Sequence, residues 1–455
     1  MTQDGGFGGY PPENLVGGPL MIEEVLNKAA KIAEQAEVFY LEAESTPVGF
    51  ENNRLKHLQS RQTRGLALRI VVHGRIGFAS TTDLRDPSSI VEAAVEAAPY
   101  GPQAHFQLPG ATEYVPVETY DPAVEAVPLE QMIDLGQALI DGVRVNNQEV
   151  VCQAGVSKDT LQVRIVNSSG GDASYRKSVF SLALEGLLIR DTDMLFVGDG
   201  ETSCRPVLDP RLTIQRTRRQ LDLAKETASI STGEYPVVFT PEGVGNALLS
   251  PVLVALNGKT VLQGASPLGQ RLGQRVFDPH FSLTDNGTKP YRPGSGPFDE
   301  EGVPTRPLKM IEEGVVQQFF YDLQTAGQAG AQSTGSGRRS LESLPSPSPS
   351  TLLVQGGEAS FDEMLTDMRK GLVIEYLMGA GQGNVLAGEF SGNVLLGYKV
   401  EAGRLVGRVK DTMVSGNVYE ALKSGVILGN DGRWVGGSLW TPSIYLPKLT
   451  VSAKG

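Results

Sequence analysis

The stretch Leu66-Ala-Leu-Arg-Ile-Val-Val-His73-Gly74-Arg75-Ile-Gly-Phe-Ala-Ser80 decides the fold class. Leu66–Val72 and Ile76–Ser80 carry the β-branched and aromatic residues that suit a pleated, half-buried surface, and His73-Gly74-Arg75 between them is a turn. The stretch therefore reads as a β-hairpin, which makes its sheet antiparallel. Upstream, Val38–Ala43 reads as a further strand. Outward on both sides the apolar spacing becomes helical. Ile22, Val25, Leu26, Ala29, Ala30 and Ala33 recur on one face, and Asp86 is placed to cap a second helix with Pro87 in its first turn and Ile90, Ala93, Ala94 and Ala97 on one side. Helices beside an antiparallel sheet predict an α+β fold.

Further along, residues 100–125 are loop-like and Leu129–Val143 reads as a helix. Strands are expected at Glu149–Gly155, Gln162–Asn167 and Ser174–Arg190, and Asp209–Ala228 has helical character. Ser229-Ile-Ser-Thr-Gly-Glu-Tyr-Pro236 has linker composition, and a new strand, Val237–Phe239, follows it. The predicted organisation is a flexible tail over 1–18, a mixed helix and antiparallel-sheet domain over 19–230, and a mainly β, barrel-like domain over 231–455. The second part has one apolar helix (Glu242–Leu256) and one amphipathic helix (Phe361–Lys370). Its other elements are short strands between Gly and Pro turns: Met310–Ile311, Val315–Tyr321, Leu395–Val400, Arg404–Val409, Val426–Leu428 and Tyr445–Val451. Ser333–Ser350 is too long and polar for a tight turn and is either a lid or a surface strap.

Composition excludes several classes. The 455 residues include 4 His and 2 Cys, too few cysteines for a disulfide-stapled scaffold. No two of His57, His73, His105 and His280 share a helix turn, so every two-His zinc-helix motif is absent. The formal net charge of −12, with no basic stripe, argues against nucleic acid, because a duplex binder neutralises phosphates with Lys and Arg. The first basic residue is Lys28, so the start lacks the basic region of a secretory signal, and Asn246, Ser250 and Pro251 interrupt the most apolar run. A cytoplasmic protein that does not enter a membrane is expected.

No motif carries chemistry by itself. Gly379-Ala-Gly-Gln-Gly-Asn384 lacks the spacing and context of a dinucleotide loop and reads as a turn. Asp191, Asp193, Asp199 and Glu201 lack EF-hand spacing and read as solvated turn residues. His73 and His280 read as surface residues. Cys152 reads as a small buried hydrophobe, and Cys204 as a poor nucleophile because nearby acids raise a thiol pKa.

A resemblance adds what composition does not. Phe50-Glu-Asn-Asn-Arg-Leu-Lys56, Thr63-Arg-Gly-Leu-Ala-Leu-Arg69 and Gly77-Phe-Ala-Ser80 form one set of signatures. Asp299-Glu-Glu-Gly-Val-Pro-Thr305, Tyr321-Asp322, Ser333-Thr334-Gly335, Pro347 with Pro349, Phe390-Ser391-Gly392 and Ser415-Gly-Asn417 form another. With these the chain resembles the TldD/PmbA family from about Glu24 onward. The resemblance implies a cytosolic zinc-dependent peptidase, a heterodimer acting on unstructured polypeptides. Its TldD-type subunit holds zinc with an H-E-x-x-x-H helix and a later Cys, the Glu serving as base.

By that resemblance the metal helix corresponds to Ala247-Leu-Leu-Ser-Pro-Val-Leu-Val-Ala255. Ser250 and Ala255 stand where the two His would be, Pro251 where the Glu would be, and Asp431 near the Cys position. Pro251 has no basic atom and no N–H, so Ser250 is expected as a helix cap with Pro251 starting or kinking the helix. The pattern is similar to the PmbA (TldE-type) branch, a pseudoenzyme subunit lacking the zinc motif. No catalytic residue and no metal ligand is assigned to this chain, and zinc is expected in a TldD-type partner. Gly381, Gly383, Asn384, Ser391, Gly392 and Asn393 are expected either to line a peptide cleft or to be plain turns. One alternative is a homodimeric peptide- or ligand-binding module without proteolysis. Another is the DNA gyrase modulator attached to the family's older name, which the charge disfavours. A hydrolase using Ser250 would lack a positioned base.

Overall fold

The computed structural model describes residues 19–191 and 193–454; the tail expected over 1–18 lies outside them. The first half is built on seven strands: β1 (Gln35–Glu51), β2 (Arg54–Leu58), β3 (Arg61–Val72), β4 (Arg75–Thr81), β5 (Val151–Asn167), β6 (Asp172–Arg190) and β7 (Asp193–Ser203). They form one antiparallel sheet in the order β4-β3-β1-β5-β6-β7, with β2 folded back on β1. The deciding hairpin is β3–β4. Val72 pairs Arg75, and His73 (φ 50°) and Gly74 (φ 72°) make a two-residue turn with both positions left-handed, the twist that suits a hairpin.

Alternation along β1 and β3 gives the sheet two different buried faces. Val38, Tyr40, Leu66, Leu68 and Ile70 pack against Ile22 and Val25 of α1 (Pro19–Ala29) and Ile90 and Ala94 of α2 (Ser89–Ala97). Phe39 and Ala67, on the opposite face, pack against Phe298 and Leu341 of the second half. Farther along the sheet, α3 (Leu129–Arg144) lays Met132, Leu139 and Ile140 against Phe50, Cys152 and Phe180. That cluster also takes in Leu221 of α4 (Arg211–Leu223) and Val373 and Tyr398 of the second half, so one apolar core crosses between the halves.

The expected barrel is present and closed. β8 (Gly233–Phe239) pairs in parallel with β9 (Lys370–Met378). β9 pairs antiparallel with β10 (Glu389–Glu401), β10 with β11 (Thr412–Asn417), β11 with β12 (Ile444–Ala453), and β12 returns to β8. A second, six-stranded sheet runs through Pro307–Glu312, Leu283–Asn286, Leu352–Val354 and Leu439–Thr441. The apolar helix α5 (Leu249–Leu256) shares one core with this sheet and the barrel, with Leu249, Val252, Ala255 and Leu256 buried. The amphipathic helix is α6 (Phe361–Met368).

Several expectations need correction. The strands expected at Glu149–Gly155 and Gln162–Asn167 are one strand, because β5 pairs with β1 and β6 straight through its polar middle. Asp193, Asp199 and Glu201 lie on β7 rather than in a solvated turn. The residue preceding α2 is Ser88, not Asp86, and the strand expected over Val315–Tyr321 is only Val315–Val316. Ser333–Ser350 is a strap with buried charges: Arg339 Nη1 donates to Glu37 Oε1 at 2.6 Å, and Arg338 Nη1 to Glu300 Oε1 at 2.7 Å.

Candidate functional site

The helix that the resemblance aligns with the metal motif begins at Pro241, where the Thr240 hydroxyl caps the N–H of Gly243. Val244–Leu248 forms one wide π turn before α5. A proline four residues beyond a carbonyl leaves that carbonyl without its usual donor, and the wide turn ahead of Pro251 gives its ring room. Ser250 is not the cap: it lies in the first turn of α5, is exposed, and makes no side-chain cap bond. Pro251 is buried, and its carbonyl accepts from the Tyr419 hydroxyl at 3.1 Å. Ala255 is fully buried in the core. Asp431 accepts from the backbone N–H of Ser443 at 2.9 Å and from its hydroxyl at 2.6 Å.

These four positions do not fit zinc. Pro and Ala bring no donor, the Ser250 hydroxyl is a poor one, and both oxygens of Asp431 are engaged by Ser443. Among the described residues no group of three or more His, Cys, Asp or Glu is gathered so as to hold a metal. His280 is exposed and hydrogen-bonds Asp278 at 2.8 Å. Cys152 and Cys204 are buried and reduced, and burial pushes each thiol up to about 11. For Cys204 burial is the cause, not nearby acids; Lys177 and Arg292 pull the other way.

Gly381, Gly383 and Asn384 lie in the short connection between β9 and β10, which Asn384 closes by accepting from Glu389 N (3.1 Å) and Ala387 N (3.2 Å). Ser391, Gly392 and Asn393 are strand residues of β10, paired with Ser415, Val414 and Met413. Asn393 is also paired with Met378, so its backbone has neighbours on both sides.

A recess lies elsewhere, where α4 meets the barrel, and has a volume of about 450 Å³. Arg216, Arg219, Gln220 and Leu223 come from one face of α4, Val373 and Glu375 from β9, and Tyr398 from β10; Asp431 and Arg433 close it. Asp199 of β7 organises the wall, receiving Arg216 Nη1 at 3.1 Å and Arg433 Nη1 at 3.2 Å, while Arg433 also pairs with Glu242. Gln220 donates to Glu375 Oε2 at 2.7 Å, and burial raises the Glu375 carboxyl above its ordinary value. Of the four zinc-aligned positions only Asp431 reaches this recess. The sequence did hold a signal for Asp199: Leu195, Val197 and Asp199 alternate on one face of a strand.

Comparison with known proteins agrees with this architecture. Residues 232–453 match the family model "PmbA/TldA metallopeptidase C-terminal domain" and residues 36–98 match "PmbA/TldA metallopeptidase domain 1". The chain belongs to the TldD/PmbA family. An uncharacterized protein of Methanocaldococcus jannaschii is 26% identical over 432 residues, spanning 92% of this chain and 98% of that one. A Thermotoga maritima structure described as a candidate modulator of a DNA gyrase superposes with a TM-score of 0.87 at 25% identity, covering 95% of this chain and 99% of its own. TldE from Thermococcus kodakarensis shares the fold, with a TM-score of 0.85 at 19% identity, over 95% of this chain and 100% of its own.

Proposed function

We propose that this chain is a PmbA (TldE-type) subunit, the partner without a metal site in a TldD/PmbA-family peptidase complex that acts on unstructured polypeptides. The observation that carries the reading is the occupancy of the ligand positions: Ser250, Pro251 and Ala255 stand on the aligned helix, and Asp431 is spent on Ser443. At these four positions there is no free base to activate a metal-bound water and no donor set to hold the metal. Zinc and the catalytic Glu would come from a TldD-type subunit, and this chain would complete the complex and help align an extended peptide. The net charge of −12 speaks against the DNA-related description carried by the Thermotoga maritima relative.

The test is reconstitution. The purified chain, a TldD-type subunit and an equimolar mixture are assayed on an unfolded polypeptide. Activity that rises on mixing and is abolished by a chelator is expected. Chelator-sensitive activity of this chain alone would overturn the reading.

A further inference from the structure

Both tryptophans of the chain meet in one place, on the second sheet. Leu353, Trp440 and Trp434 form one row across three neighbouring strands, Leu353 paired with Trp440 and Trp440 with Trp434. Side chains alternate across a strand, so the residues next to them in sequence face the other way. Val435 and Leu439 do so and pack against Gly245, where an added Cβ would lie 3.4 Å and 3.2 Å from them. Gly245 belongs to the π turn that leads into α5. The sheet therefore stands between the tryptophan row and the zinc-aligned helix.

The row forms one wall of a recess of about 390 Å³, which Lys289, Gln355 and Gly356 also line. That volume is in the range of small-molecule sites. The rings are fixed without a ligand. The two indoles meet edge-on with centroids 5.5 Å apart, and the Arg292 guanidinium lies 4.3 Å from the centre of the Trp434 ring. Trp440 lies so close to Gly432 that an added Cβ there would come within 2.9 Å of its Nε1. Aromatic walls that are already in place lose little freedom when a ring settles on them.

The polar groups of the recess are of one kind. None of its lining residues is acidic. Lys289 pairs with no carboxylate among the described residues, and the two indole N–H groups and the Gln355 amide find no partner among them. Beside Trp434, Arg292 is also without an acid: burial lowers its guanidinium from the ordinary value, and no carboxylate raises it again. In a chain of net charge −12 this is a locally positive spot. Aromatic faces, donors without acceptors and one cation inside the recess match a flat ring that carries one acid group.

We propose that this recess binds an aromatic carboxylate, its ring against Trp434 and Trp440 and its acid group on Lys289. Two sources share that chemistry, a free aryl-alkanoic acid and a peptide that ends in an aromatic residue. The proposal does not depend on the partner-subunit reading.

The test is fluorescence titration of the full chain at neutral pH with hydrocinnamate, N-acetylphenylalanine, the amide of each, and hexanoate. The chain has 2 Trp and both line the recess, so excitation where only indole absorbs reports this site alone. A saturable change is expected with at least one aromatic acid, its amide and hexanoate each binding about ten-fold or more weaker. Tighter binding of N-acetylphenylalanine identifies a peptide end, and tighter binding of hydrocinnamate a free acid. Lys289→Gln is expected to weaken the acid about five-fold or more and to leave the affinity for the amide and the unfolding midpoint unchanged. Trp440→Leu is expected to weaken acid and amide alike. Lys289 is not part of the core, so its replacement keeps the test decisive even if Trp440→Leu disturbs the sheet. No saturable change with either aromatic acid, equal binding of acid and amide, equal binding of hexanoate, or wild-type affinity in Lys289→Gln would overturn the proposal.

Discussion

Arg69→Met is the sharpest test of how the two halves are held together. Arg69 stands on β3 with its guanidinium buried, Nη2 donating to Glu37 Oε2 at 2.9 Å and Nη1 to Glu301 Oε1 at 2.6 Å. Methionine keeps the length and removes the charge. Glu37 would retain Arg339, which donates to its other oxygen at 2.6 Å. Glu301, fully buried, would retain only the backbone N–H of Leu323 at 2.7 Å. One carboxylate is thus left buried without a cation, a change that costs about 3–5 kcal/mol.

The loss should depend on pH, because Glu301 can take up a proton instead. Burial already pushes its carboxyl from 4.5 up to about 7, against the pull of Arg69. An acid raised in the folded state binds its proton more tightly folded than unfolded. Its stabilising contribution is full below the unfolded value and is lost as pH rises through the folded value. In the parent chain stability therefore falls as pH rises from about 4.5 towards 7. Without Arg69 the folded value climbs further and the decline extends to higher pH. Urea unfolding followed by Trp434 and Trp440 fluorescence reads the change from the midpoint at constant slope. The expected loss is about 3–5 kcal/mol near pH 8 and about half that or less near pH 5.5, with Arg69→Met/Glu301→Gln recovering part of it near pH 8. A loss under about 1 kcal/mol near pH 8, or equal losses at the two pH values, would refute the reasoning.

Three further outcomes follow from packing and burial. Phe239→Ala opens a cavity in the core at the end of β8, where the ring is fully buried and meets Phe390 edge-on at 6.2 Å, and should cost about 3–5 kcal/mol in the same urea assay. Gly327→Ala would place a Cβ 1.5 Å from the His105 carbonyl oxygen, so it should lower the thermal midpoint despite alanine's higher helix propensity; an unchanged midpoint would contradict the close approach. Cys152 and Cys204, buried and raised to about 11, should resist a thiol reagent at pH 8 in the folded chain and both react in denaturant; rapid labelling of the native protein would contradict their burial.

Local signals carried much of the fold. The β3–β4 hairpin, α3, α5 and α6 were legible because apolar period and turn chemistry act over a few residues. What escaped depends on partners far away in sequence. The polar middle of β5 is held by two neighbouring strands, and no apolar pattern marks it. The strap over Ser333–Ser350 looked solvated because its charges are written in the sequence and their partners, such as Glu37 for Arg339, are not. The same holds for Asp199, which becomes a buried hub only when Arg216 and Arg433 converge on it. At the candidate site, the substitutions at Ser250, Pro251 and Ala255 were legible through the resemblance. The engagement of Asp431 by Ser443, twelve residues on, depends on how that loop folds back, and the recess behind Tyr398 joins residues from both halves, so neither was legible without three dimensions.

The measurement that bears most directly on the central claim is the zinc content of the purified full chain after equilibration with excess zinc and desalting. With Ser250, Pro251 and Ala255 on the aligned helix and Asp431 occupied by Ser443, the chain is expected to retain no stoichiometric zinc. One zinc per chain, lost on replacement of Asp431, would contradict the account.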